Sequence, residues 1–357
     1  MTRFFSSIFL SLVLFFSMLV APVSAVSCNE GTLSFEQPLE LGKEYPIPNE
    51  EATTKAILNG LQKQMMDKEA VRNQHPKAHG IVKAQFTVES TIPKSYQIGL
   101  FKDAKTYDAL IRFSNGKEQV SDLNPDVRGM AIKLTDVPGK KILDEKDSQD
   151  QQDFVLMNSP VFFADSLTTL ARFTKDPTTT PCARQILGET MKNGAMIASP
   201  VDALYWSTTP YKLGDYAVKY SVEPQNKTPF NPSLAKSEDY LSEALTAKLS
   251  KQDVYFDFFV QVQTDPVAMP VEDATVEWDE SVSPPIKFAT IKITQQVIDR
   301  NSPENKQLDI DLAFTPWHSL PEHRPLGNIN RARKEIYQVL SKFRQKQAEM
   351  AMNDYTK

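Results

Sequence analysis
The chain has 357 residues, 41% of them hydrophobic, with 40 Lys and Arg against 45 Asp and Glu. That much apolar material supports a large packed core and argues against disorder, collagen-like repeats and coiled-coil rods. A net charge of −5 gives no whole-molecule attraction for nucleic acid, and 12 glycines without a GxGxxG or GxxxxGKS/T string argue against a nucleotide-phosphate loop. Four histidines and two cysteines leave little for a multi-ligand zinc or iron–sulfur site.

Residues 1–25 carry Arg3, an apolar run from Phe4 to Val20 and the small-residue stretch Val23-Ser24-Ala25. These are the positive region, apolar region and cleavage site of a secretory signal. The competing readings are an uncleaved membrane anchor and a lipidated Cys28, although Ala25-Val26-Ser27 fits a lipoprotein box poorly. Export, to a periplasm or outside the cell, is the expectation, with no membrane span once the signal is cleaved. Cys28 and Cys182 could then pair in an oxidising compartment. The unpaired state is expected, because Cys28 sits in a loose terminus and Cys182 follows a Thr/Pro loop.

Residues 26–50 are polar with prolines and read as an extended lead-in, and 51–357 as a single domain. Ala56, Ile57, Leu61 and Met65 recur at helical spacing within 51–70. Segments 80–90, 108–114 and 127–136 are rich in β-branched and aromatic residues and read as strands. Val155 and Val161 to Phe163 flank a turn at Asn158-Ser159-Pro160, and 165–175 and 182–197 read as helices. Residues 198–212 read as a connection, 216–220 as a strand, 236–250 as a helix, and 254–263 and 287–293 as strands. The tail from Asn330 to about Ala351 is a helix. Strands and helices follow one another without a βαβ rhythm, so the class is α+β with an antiparallel sheet, a barrel being the expected form.

The last helix places Arg333, Tyr337 and Arg344 at i, i+4 and i+11. At about 100° per residue the three fall within about 40° of one another, on one face. A guanidinium one turn from a phenol can hydrogen-bond its oxygen and favour the anion, and a tyrosinate is a known axial ligand of ferric haem. A basic amphipathic surface helix would carry the same residues. Further upstream stand Arg72, His75, Lys77, His79 and Gly80 before a strand, then Ile111-Arg112-Phe113-Ser114, then Asp126, Arg128, Gly129, Ala131 and Lys133, then Asp153 to Phe163.

Taken together these stretches resemble the haem catalases. That family carries R-x-x-H-x-K before a strand, then v-R-F-S, D-x-R-G-x-A-x-K, D-x-V-x-N-N-T-P-x-F-F and a final R-x-x-x-Y helix, and all five occur here in order between Arg72 and Arg344. The resemblance implies a catalase-like antiparallel barrel with flanking helices, its C-terminal helix carrying the proximal ligand of haem b. It implies Tyr337 as iron ligand, Arg333 as its tuner, and Arg72, Arg112 and Arg344 as partners of the haem propionates. His75 becomes the distal acid/base, held by Ser114, with His79 as the competing histidine. Phe162, Phe163 and Phe173 match aromatic residues around the haem, although such residues are often plain core. The implied activity is peroxide chemistry on hydrogen peroxide or organic hydroperoxides, as a weak catalase or peroxidase. The alternative is a haem-binding protein without turnover. A monomer or homodimer is expected.

Two departures stand out. The first of the family's paired asparagines, which positions peroxide, is Met157 here, and Asn158 matches the second. A thioether accepts hydrogen bonds weakly and donates none. Gln74 stands before the histidine where the family has a small apolar residue.

Overall fold
The computed structural model describes residues 30, 31, 33–66, 72–117, 121–144, 148–233 and 235–355, without the side chains of 351–355. The expected signal, 1–25, and Cys28 lie outside the described residues. Helix α1 (Glu50–Met66) precedes four consecutive strands, β1 (Ala78–Val88), β2 (Thr106–Asn115), β3 (Arg128–Leu134) and β4 (Gln152–Met157). Helices α2 (Leu167–Lys175) and α3 (Pro181–Gly194) follow. Then come β5 (Tyr205–Trp206), β6 (Tyr211–Leu213), β7 (Tyr216–Pro224), α4 (Tyr240–Leu249), β8 (Val254–Val262) and β9 (Ile286–Ile293). The chain ends with α5 (Pro303–Asp311) and α6 (Asn328–Tyr355).

Every strand pairing is antiparallel. The order β5-β4-β3-β2-β1-β9-β8-β7 closes through a β5–β7 pairing, so eight strands form a barrel, and β6 pairs with the start of β7 along the same edge that β5 uses further on. Closure removes free sheet edges, which would otherwise template aggregation. Residue alternation decides what fills the barrel. From β1 come Val82, Ala84, Phe86 and Val88; from β2 Ile111 and Phe113; from β3 Met130, Ile132 and Leu134; from β4 Phe154 and Leu156. Phe258 of β8 stacks against Phe86, Phe154 and Tyr220 at centroid distances of 5.2, 4.9 and 5.4 Å.

The intervening residues face outward, and on β2 to β4 they are small, polar or charged: Arg112, Ser114, Gly129, Ala131, Lys133, Asp153 and Val155. Outside the barrel, α1, α2 and α6 pack together through Ile57, Leu58, Leu61, Leu167, Ile329 and Ile336. Among the described residues no helix is long and apolar enough to cross a membrane.

Three elements differ from the sequence reading. The connection 198–212 contains β5 and β6, of two and three residues. Residues 303–311 form α5, a helix with no buried residue. Cys182, expected to be unpaired, is disulfide-bonded. The lead-in explains why the terminus reaches it. Glu30 accepts from the N–H groups of Cys182 and Ala183 at 3.0 and 3.3 Å, at the start of α3, where orphan donors and the helix dipole favour a carboxylate. Further along, Glu44 pairs with Arg324 and Arg331, and Tyr45 N–H donates to Glu272.

Candidate functional site
A cavity lies between the outer face of β2–β4 and α6. It encloses about 760 Å³ of atom-free space, part of it open to solvent. Its walls are largely apolar: Met65, Ala131, Val155, Phe314, Ile336 and Leu340. Tyr337 comes from α6, His75 from the segment before β1, and Arg72, Arg112 and Arg344 gather at one end.

His75 occupies the left-handed region at φ 54, uncommon for a non-glycine residue. The strain is held by its neighbours. Arg112 Nη1 donates to the His75 carbonyl at 2.8 Å, and Ser114 Oγ lies 3.3 Å from His75 Nδ1. Gly129 makes room, because a Cβ there would stand 2.5 Å from His75 Nδ1. This glycine is needed for close approach rather than for its backbone conformation. Burial first, then the positive charge of Arg112, Arg333 and Arg72, brings the His75 pKa down to about 4, so the ring is a neutral base at pH 7.

His79 is placed elsewhere. It sits in a β-bulge of β1 between Ala78 and Gly80, which supplies one residue more than a regular ladder needs. Its side chain is buried and bonds Asn115 Oδ1 through Nε2 at 2.8 Å. Burial, then Arg128, holds its pKa well below the usual imidazole range. It does not line the cavity.

At the Tyr337 side, Arg333 Nη2 donates to the phenolic oxygen at 3.0 Å, with its guanidinium 5.0 Å from the ring centroid. Arg333 is fixed from behind by Asn330 Oδ1 at 2.9 Å and Thr209 Oγ1 at 3.4 Å. Both partners are neutral, so they orient the guanidinium without cancelling its charge. The helical spacing read from the sequence therefore becomes a direct contact.

The arginine end has a surplus of charge. Arg72 and Arg112 both pair with Asp309 Oδ1, at 3.3 and 2.6 Å. Among the described residues no carboxylate pairs with Arg344, which instead donates to the carbonyls of Ile310 and Leu312 at 3.1 and 2.9 Å. Burial, followed by repulsion from Arg112 and Arg344, pushes the Arg72 pKa well below its usual value. Burial brings Arg344 down to about 10. Three buried guanidinia with one carboxylate are unfavourable unless further anionic charge arrives.

The three phenylalanines expected near the cofactor are placed apart from this cavity. Phe162, Phe163 and Phe173 do not line the cavity. They stack on one another, at 4.6 and 4.9 Å between successive centroids, and Phe162 packs into the α1/α2/α6 cluster. The aromatic wall of the cavity is Phe314, whose ring lies 5.9 Å from the Arg72 guanidinium and 5.3 Å from Lys133 Nζ. Met157 pairs across the ladder with Gly129, whose missing Cβ leaves room for His75, but Met157 itself does not line the cavity. Asn158 is occupied in structure: it accepts from Arg128 N–H at 2.7 Å and donates to Thr190 O at 3.0 Å, tying β3 to α3. The other motif residues are also structural. Arg128 is buried against Gly194 O, Asn115 and Asp122 O, and Lys133 pairs with Asp153.

The whole architecture matches solved structures. A fungal catalase superposes with a TM-score of 0.60 over 90% of this chain and 68% of its own, at 19% identity. The chain has a catalase-like fold. Catalase A from Saccharomyces cerevisiae matches with a TM-score of 0.60 at 18% identity, over 87% of this chain and 68% of its own. For a bacterial catalase the TM-score is 0.59 at 16% identity, over 88% of this chain and 64% of that one. No protein-family model and no curated protein matches the sequence. The fold therefore carries the likeness, and the chain spans about two thirds of these catalases.

Proposed function
We propose that the chain is an exported haem protein that acts on hydrogen peroxide or organic hydroperoxides. The observation that carries the reading is the cavity itself, which brings together a phenol with an adjacent guanidinium, a neutral histidine and three surplus-charged arginines. The residues present fit a dicarboxylate tetrapyrrole: apolar walls for a macrocycle, a cationic end for two carboxylates, and Tyr337 as a single oxygen donor. Among the described residues no group of three or more His, Cys, Asp or Glu is gathered for a bare metal ion. A bound haem would supply the iron redox chemistry that peroxide cleavage requires.

The chain's own residues then have separate tasks. Tyr337 Oη would ligate the iron, and Arg333, donating to that oxygen, would favour its anionic form as a ligand. Arg72, Arg112 and Arg344 would hold the haem carboxylates. His75, neutral at pH 7, accepts a proton from one peroxide oxygen at Nε2 and returns it to the other as the O–O bond parts, since its Nδ1 faces Ser114. Export is supported by the signal-like residues 1–25 and by the oxidised state of Cys182.

Met157 favours a second reading, haem binding without efficient turnover, because no amide stands at its position to orient peroxide. Peroxide consumption by the haem-loaded mature chain separates the two. The proposed function predicts oxygen evolution or dye oxidation that falls at least about a hundredfold in His75→Ala, as loss of a general acid/base does. Haem binding with no turnover in either protein would leave the second reading. Met157→Asn is expected to raise oxygen evolution relative to dye oxidation, and no rise would mean that the missing amide is not the limitation.

A further inference from the structure
The arginine end of the cavity is already gripping an anion, and the anion belongs to the chain. Asp309 lies in α5, and Arg112 donates to its carboxylate through Nε at 2.6 Å and Nη2 at 3.3 Å. Arg72 Nε adds a third bond at 3.3 Å. The same guanidinia also hold the backbone at the C-terminal end of α5. Arg72 Nη2 donates to Asp309 O at 2.7 Å and Leu312 O at 2.5 Å, and Arg344 donates to Ile310 O and Leu312 O. Carbonyls at a helix C-terminus carry the negative end of its dipole, so this end of α5 presents a carboxylate and partial negative charge to three arginines at once. The arginines outweigh the cost of burial and hold the Asp309 carboxyl below its usual range, Arg112 contributing most.

Apolar packing contributes little to holding α5, since none of its nine residues is fully buried. Besides the arginines, Gln345 donates to Asp311 O at 2.9 Å. Segments with few apolar contacts open at low cost, well below global unfolding. The proline at its first turn and the Ser302 cap support the start of the helix rather than its attachment.

We infer that Asp309 is a resident competitor for the carboxylates of the cavity's ligand, so that seating a dicarboxylate at Arg72, Arg112 and Arg344 releases the C-terminal end of α5. The inference rests on reading the cavity as a dicarboxylate tetrapyrrole site, and it makes Asp309 a specificity-determining residue. In the free protein Asp309 screens the arginines from one another. During binding it trades places with an incoming carboxylate, which excludes ligands that bring no carboxylate strong enough to compete. Arg112 also holds the carbonyls of His75 and Pro76, at 2.8 and 3.3 Å, so the exchange occurs one residue from the acid/base.

The test needs no iron and no turnover. Metal-free protoporphyrin IX and its dimethyl ester are titrated into the wild-type chain, Asp309→Asn and Asp309→Glu, following fluorescence and the hydrogen exchange of residues 303–312. Coupling between sites of this kind is typically five- to a hundredfold. Saturating protoporphyrin is expected to speed exchange in 303–312 at least about fivefold while the cavity wall slows. Asp309→Asn is expected to exchange fast without ligand and to bind the dicarboxylate about five- to tenfold more tightly, with the ester unchanged and Asp309→Glu close to wild type. Protoporphyrin binding that leaves α5 unchanged or slower, or that weakens in Asp309→Asn, would overturn the competitor role while leaving the cofactor reading intact. No binding of either porphyrin to any of the three proteins would overturn both. Should Asp309→Asn fail to fold, the wild-type exchange arm still decides the matter.

Discussion
The two faces of strands β2–β4 make opposite use of the same backbone. Inward residues such as Phe113, Ile132 and Phe154 are fully buried in one apolar cluster. Their sequence neighbours Arg112, Ala131 and Val155 face the cavity. The inner face stabilises by area removed from water, and any truncation there is felt directly. The outer face holds an unbalanced set of charges, a histidine in a strained conformation and a gap. Such local departures from stable packing gather at functional sites, and the inner face supplies the rigidity that tolerates them.

Substitutions sharpen the contrast. Phe258→Ala would remove a ring that is 0% exposed at the centre of the aromatic cluster, and it is expected to cost about 3–5 kcal/mol in denaturant unfolding. Acid should act next. His75 and His323 have pKa values of about 4 in the fold, and that of His79 is also lowered. The unfolded chain therefore binds more protons than the folded one between about pH 6.5 and pH 4. Stability is complete above that window and falls as pH drops through it, by roughly 3 kcal/mol for a fully buried group such as His323. A flat unfolding midpoint across the window would show that these rings charge freely in the fold.

Gly129→Ala tests the cavity face by overpacking. The new methyl would meet the His75 ring, and a cost of about 1–3 kcal/mol is expected, with the loss of turnover exceeding the loss of haem binding. The smallest effect should come from Arg344→Met. Arg344 is 4% exposed, yet among the described residues it pairs with no carboxylate, and Arg112 lies close by. Its removal is expected to change the stability of the free protein by less than about 1 kcal/mol while weakening dicarboxylate binding. A loss comparable to that of Phe258→Ala would erase the distinction between the two faces.

The two faces also differed in how well the sequence announced them. Enrichment in β-branched and aromatic residues made β1, β2 and β3 readable, and the helical spacing of Ala56, Ile57, Leu61 and Met65 made α1 readable. Strands β5 and β6 are too short to show a period, and α5, with the sequence PENKQLDID, has no apolar stripe to detect. Within the cavity, residues on ordered motifs were nameable in advance: Arg72, His75, Arg112, Ser114, Tyr337 and Arg344 all line it. Phe314 and Met65 reach the cavity wall, and Asp309 reaches the arginines, only through tertiary packing; the helical spacing marked Met65 as a helix position, not as part of a site. Phe162, Phe163 and Phe173 show the reverse case, in which the motif is present but packing turns the rings away. Glu30 meets the start of α3 across 152 residues of sequence, a contact that no local pattern announces beside the disulfide-bonded Cys182.

The most direct test of the account is the visible spectrum of the haem-loaded chain beside that of Tyr337→Phe. The account predicts a high-spin ferric spectrum with a tyrosinate signature in the wild type that is lost in the variant, while Arg333→Leu retains haem with an altered spectrum. An unchanged spectrum in Tyr337→Phe, or no Soret band under any loading, would contradict it.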